Sequence, residues 1–280
     1  MDHKRAQYSK AAIFYGIALS LALLVSVAAP WLGEGSRLVT MLTPTVSVII
    51  MLLFFAPESG WHSAVVFLGL SRAGWHGFPF AIGMPILLLV ISYSIVWLTN
   101  IASFRPPTIG GSQSFVLVNL ATGLAISTAL AMCEEVGWRG YMLPRLLGIG
   151  IAPAMLLVGL LHGVWHLPLM LATPYYHSEG SALLVVPLFL VTLTLAGVLF
   201  GFLRIWTASV WPVAMAHGVF NWTWELLNDL SQIKLPAVFE YVGGESGVLV
   251  IVGLALVAAA LFRRMQSHPF RVTALALPVE

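Results

Sequence analysis

Three short groups of residues in this chain have the types and spacing to do chemistry. Residues 134–139 read Glu-Glu-Val-Gly-Trp-Arg, directly after the uncharged stretch 114–133. On a helix Glu135 and Arg139 are four apart and meet across one turn, whereas Glu134 points about 100° away. One guanidinium therefore cannot neutralise both carboxylates equally. Such a pair would ordinarily be an interfacial salt bridge, and the second carboxylate weakens that reading. The second group is His162 and His166 in Leu-His-Gly-Val-Trp-His-Leu-Pro-Leu, again four apart on one face, with Pro168 just beyond. The spacing reproduces the two histidines of the zinc-protease motif H-E-x-x-H, but Gly163 stands where the glutamate should be. The third group is His217 and Asn221 in Trp-Pro-Val-Ala-Met-Ala-His-Gly-Val-Phe-Asn-Trp, which places an imidazole and a carboxamide on one helix face. A lone histidine or asparagine in a membrane helix usually serves as an interhelical hydrogen bond. Together, aimed at a buried carboxylate, the pair has complementary chemistry.

The combined set supplies a carboxylate for acid–base work, imidazoles that can share protons, and neutral donors for a developing oxyanion. That is sufficient for hydrolysis of a peptide bond by activated water, with no nucleophilic serine. A carboxylate withdrawn from water holds a proton more readily, which suits it to the role of general base. The chain has no G-x-G-D sequence of the aspartyl intramembrane type.

The elements that must position these groups are membrane helices. Of the residues 59% are apolar and 9% charged, with a mean hydropathy of +0.94, far from the ~25% charged residues of soluble domains. The single cysteine, Cys133, excludes an intrachain disulfide and a cysteine metal site. A formal net charge of +2 with scattered basic residues gives no footprint for nucleic acid. Stretches long enough to span about 30 Å of hydrocarbon occur near 11–32, 38–56, 78–100, 115–138, 151–171, 182–203, 205–224 and 246–262. The expected fold is therefore all-α, a polytopic bundle of about eight transmembrane helices. The uncharged run after the basic N-terminus is too long for a cleaved signal core and predicts a retained anchor. With both termini cytoplasmic, the inside holds Lys4, Arg5, Lys10, Arg72, Arg139, Arg145, Arg204, Arg263, Arg264 and Arg271, against Arg37, Arg105 and Lys234 outside. A bias of ten to three favours that orientation.

The segments Glu-Glu-Val-Gly-Trp-Arg-Gly-Tyr-Met-Leu-Pro-Arg-Leu, Gly-Val-Trp-His-Leu-Pro-Leu and Trp-Pro-Val-Ala-Met-Ala-His-Gly-Val-Phe-Asn resemble the three motifs of the CAAX prenyl protease and bacteriocin-processing family, the intramembrane glutamic endopeptidases. The resemblance covers roughly residues 130–225, in order. It implies that Glu134 activates water with help from His166, that His217 and Asn221 bind the oxyanion, and that Glu135 and Arg139 support the site. It also implies a membrane-associated peptide or protein as substrate. His162 departs from the family, which usually has an aromatic or aliphatic residue there, and it adds a candidate ligand: Glu134, His162, His166 and His217 form a set that zinc accepts. A metal-free site is the expectation, with zinc as the alternative.

Three parts are expected in one structural unit: an unassigned three-helix segment (1–110), the motif-bearing helices (111–225), and a last loop, helix and cytoplasmic tail (226–280). The expected location is the plasma membrane, with the site facing the cytoplasm. For Glu134 to meet His217, the fourth helix must start near residue 120 and run through Trp138 toward Pro144. The competing functions are a non-catalytic scaffold or immunity-type peptide binder of the same fold, and a proton-coupled transporter using buried Glu and His. No internal repeat of the kind common in transporters is visible.

Overall fold

A computed structural model describes residues 2–55, 60–106, 113–173 and 180–267. In chain order the elements are α1 (Asp2–Leu32), α2 (Gly35–Ile50, prolonged by a π-helical turn over Met51–Phe55), α3 (Trp61–Phe67), α4 (Phe78–Leu98), β1 (Ala102–Phe104), α5 (Gln113–Glu135), α6 (Leu143–Leu146), α7 (Ile151–Ala172), α8 (Ala182–Thr207), α9 (Trp211–Asp229), β2 (Ser231–Ile233), α10 (Pro236–Val242) and α11 (Val248–Ser267). The fold is an all-α membrane bundle, as the composition predicts. Among the described residues, seven segments are long and apolar enough to cross a membrane. The eighth long helix is α9. Its His217, Asn221, Glu225, Asn228 and Asp229 make it too polar to count by composition, and it packs among α4, α5 and α8.

The bundle faces its apolar side chains both inward and outward. Leu24, Val27, Leu98, Leu117, Leu183 and Leu256 are 66–86% exposed. No water-soluble surface carries so many bare aliphatic groups on its helices, and lipid is the solvent they suit. Lipid gives no hydrophobic drive to bring helices together, so close backbone approach must supply the packing. The α7–α8 contact shows it: a Cβ at Gly197 would fall 2.6 Å from the Gly159 Cα. The helix starts follow the usual rule that proline suits the first turn, with Pro79, Pro212 and Pro236 opening α4, α9 and α10.

The carboxylate helix corrects one expectation. It begins at Gln113 rather than near residue 120, and it does not end at the carboxylates. A π-helical turn over Val136–Met142, then α6 and a 3-10 turn over Leu147–Ile149, carry it onward. At 1.5 Å per residue, Glu134 stands roughly 30 Å from the helix start, with about 20 Å still to run. Length, not a late start, places the carboxylates in the interior.

Because eight long helices alternate in direction, both termini lie at one end of the bundle. Gly148 lies against Tyr8 at that end, and Gly74 against Ser209. The opposite end holds the α1–α2 turn, the antiparallel β1–β2 ribbon with Ala102 opposite Ile233, α10, and the 243–247 turn. Three of the arginines counted as loop charges prove to be interior: Arg139, Arg145 and Arg204 are at most 2% exposed. Arg271 lies outside the described residues. Lys4, Arg5, Lys10, Arg72, Arg263 and Arg264 remain at the termini end, against Arg37, Arg105 and Lys234 at the other. The bias keeps its sign at six to three.

Candidate active site

The π-helical turn after Glu135 is the local feature that builds the site. Its two glycines allow neighbours to close in: a Cβ on Gly137 would sit 2.7 Å from Pro44, and one on Gly140 would sit 3.0 Å from the Leu68 carbonyl. Carbonyls that a wide turn leaves without a helical partner need another donor. Arg204, reaching from the end of α8, gives its Nε–H to the Arg139 carbonyl at 3.1 Å and its Nη2–H to the Phe67 carbonyl at 2.8 Å. Just before the turn, the Thr45 hydroxyl donates to the Cys133 carbonyl at 2.6 Å. On the other side α9 presses against α5, where a Cβ on Gly218 would lie 2.5 Å from the Thr128 Cα, and Ser127 donates to the Gly218 carbonyl at 2.9 Å. That approach brings His217 to the carboxylates.

The two glutamates diverge as helical spacing requires. Glu135 is fully buried and accepts from Arg139 Nη1 at 2.8 and 3.0 Å and from His217 Nδ1 at 2.8 Å. Glu134 turns to α7. Its Oε2 lies 2.8 Å from His162 Nε2 and 3.9 Å from His166 Nε2, and its Oε1 has no hydrogen-bond partner among the described residues. The Arg139 guanidinium also lies over the Phe200 ring, 5.0 Å from its centroid.

A cavity of about 730 Å³ opens onto this constellation. Glu134, His166, His217 and Asn221 line it, with Phe189, Phe200 and Phe220 supplying apolar wall. Glu135, Arg139 and His162 do not, since they form the layer behind. Toward the end opposite the termini the walls become polar: Glu34, Arg37, Glu225, Asn228, Glu240 and Glu245. Burial pushes the Glu245 carboxyl up to about 7, against the opposing pull of His217 and Arg37 and with the help of Glu225. Part of this wall therefore changes its charge near neutral pH.

The six site residues expected from the sequence come together, with Glu134, His166, His217 and Asn221 on the cavity wall and Glu135 and Arg139 behind it. The detailed pairing differs. The imidazole at hydrogen-bond distance from Glu134 is His162, whereas His166 is a full ångström farther off. His217 commits Nδ1 to Glu135, which leaves Nε2 as its nitrogen for a substrate. Arg204 is a supporting residue that sequence reasoning misses. Its signal is an isolated charge closing the oily run 182–203, a position that reads equally well as a loop.

Glu134, His162 and His166 place their ligating atoms within 4.8 Å of one another. Zinc bound to His162 would take Nε2 and needs Nδ1 to donate outward to an acceptor. Here Nδ1 faces Arg139 Nη1 at 3.3 Å, and a guanidinium offers only donors. At His162, therefore, the outer partner is one that opposes a zinc-bound ring.

No curated protein matches the chain. The family model described as type II CAAX prenyl endopeptidase, Rce1-like, matches residues 116–223, the span from early α5 to late α9 on which every residue of the cluster is carried. The two carboxylates, their arginine and the facing imidazoles thus stand on the helices that this family model matches. Over residues 116–223, this integral membrane chain is similar to the Rce1-like type II CAAX prenyl endopeptidases.

Proposed function

We propose that the chain hydrolyses a peptide bond of a membrane-associated peptide or protein with water activated by Glu134, and without a metal. The observation that carries this is the unequal pairing of the two carboxylates. Glu135 is occupied by a guanidinium and an imidazole, whereas Glu134 meets a histidine through one oxygen and offers the other to the cavity. Water in the cavity gives a proton to Glu134 Oε1 as its oxygen bonds to the carbonyl carbon. Asn221, through its amide N–H, and His217, as an imidazolium that gives Nδ1–H to Glu135 and Nε2–H to the substrate, donate to the oxyanion that forms, an interaction realised most fully in the transition state. The carbon–nitrogen bond then breaks, and the proton moves from Glu134 to the leaving nitrogen. The products are a carboxylic acid and an amine, and Glu134 is restored.

Purified protein incubated with a library of membrane-anchored peptides is expected to release discrete fragments, detected by mass spectrometry. A strong chelator should not slow their release. Activity that disappears on chelation and returns with added zinc would replace the glutamate mechanism with a metalloprotease.

The cavity mouth and the termini lie at opposite ends, so cytoplasmic termini and a cytoplasm-facing mouth exclude one another. The surviving loop charges favour cytoplasmic termini, and Glu34, Glu225, Asp229, Glu240 and Glu245 gather at the mouth end. We therefore place the mouth on the outer face of the cell membrane. In a Cys133→Ala background, a membrane-impermeant maleimide should label Gln232→Cys in intact cells and Ser267→Cys only after lysis. The reverse pattern would turn the mouth to the cytoplasm.

A further inference from the structure

We infer that His162 is a positioning residue that holds Glu134 through a hydrogen bond whose direction Arg139 fixes. This inference rests on the reading of Glu134 as the water-activating base. His162 is fully buried and does not line the cavity, so it acts only through a neighbour.

Its two ring nitrogens face opposite demands. Nδ1 lies 3.3 Å from Arg139 Nη1 and Nε2 lies 2.8 Å from Glu134 Oε2. An arginine can only donate, so Nδ1 is the acceptor; in a neutral imidazole the proton then sits on Nε2 and is donated to the carboxylate. Of the two protons on Nη1, one serves Glu135 and the other His162. The chain of donors runs from Arg139 to His162 to Glu134, with the ring neutral throughout.

Stacking holds the ring in this plane. Trp138 stacks on it with centroids 5.1 Å apart and planes inclined by 27°, and His166 stacks at 5.2 Å and 30°. The imidazole therefore cannot swing toward the cavity to accept the water proton. During turnover it gives up no proton; it occupies Oε2 so that Oε1 is the oxygen that meets water. This assigns a role to the position at which the sequence departs from the aromatic or aliphatic residue usual in the resembling family.

The test is steady-state kinetics on a cleaved peptide with His162→Phe, His162→Gln and Glu134→Gln, each with a thermal melt. His162→Phe keeps a flat ring in the stack but has no donor, and we expect kcat to fall about 10–100-fold, the range typical when a hydrogen-bonded partner of a functional ligand is removed, with KM unchanged. His162→Gln carries an amide that accepts from Arg139 and donates to Glu134, and should recover most of that loss. A merely structural role would instead lower the melt of both variants and give no rescue by Gln. Wild-type kcat in His162→Phe, or equal losses in Phe and Gln variants, would overturn the inference while Glu134→Gln remained inactive. An active Glu134→Gln would sink the base assignment instead, whatever the His162 variants do.

Discussion

Glu134→Gln is expected to lose peptide hydrolysis by about a hundred- to ten-thousandfold, the usual contribution of a general base, with no loss of folded protein. The amide keeps an oxygen that accepts the His162 Nε2–H bond, so the packing against α7 is retained and only the proton-accepting group is removed. Glu135→Gln supplies the contrast. It removes the negative charge from between Arg139 and His217, and its melt should fall along with its activity. Turnover near wild type in Glu134→Gln, measured under single-turnover conditions, would transfer the base to Glu135 or end the glutamate mechanism.

Arg139→Ala should produce the largest loss of stability. The variant leaves the fully buried Glu135 with only His217 as partner, removes the group that fixes His162, and opens space beside Phe200. Breaking a buried pair by deleting one partner costs about 3–5 kcal/mol, or roughly 10 °C in melting temperature for a chain of this size. A lysine has no planar fork and should rescue only in part. The geometry sets how far, because Nη1 alone makes the bonds to both Glu135 and His162. A lysine Nζ has enough protons for the same two partners and lacks only reach and the Phe200 contact. Arg139→Lys should therefore recover about half of the lost melting temperature. A melt of Arg139→Ala equal to wild type would mean that water reaches the pair.

The parts of this molecule that are legible in the sequence are those with local physical causes. Apolar runs of spanning length and four-residue spacings predict helices and shared faces, and they bring Glu135 to Arg139 and His217 to the face of Asn221. The hidden parts depend on direction in three dimensions. His162 and His166 are equivalent by spacing, and only the placement of Arg139 behind one ring decides which histidine meets Glu134. Arg204 closes an oily run and reads as a loop charge, since nothing in its neighbours announces the wide turn whose carbonyl it serves. Counting loop charges gives an orientation for the termini, but it is silent on which end a cavity opens. Only the gathering of Glu34, Asn228 and Glu245 in one wall, far from the termini, sets the two in conflict.

The π-helical turn over Val136–Met142 also has a meaning for descent. Such a turn amounts to one residue more than a regular helix would hold, and each added residue rotates the remainder of the helix by about 100°. The carboxylates precede it, while Arg145, stacked on Phe67 and Tyr141, comes after it. A homologous helix without the insertion would have to shed one residue between 136 and 142 to keep both ends in phase, so an alignment across this helix calls for a gap of one residue inside the turn, even where the flanking residues are identical.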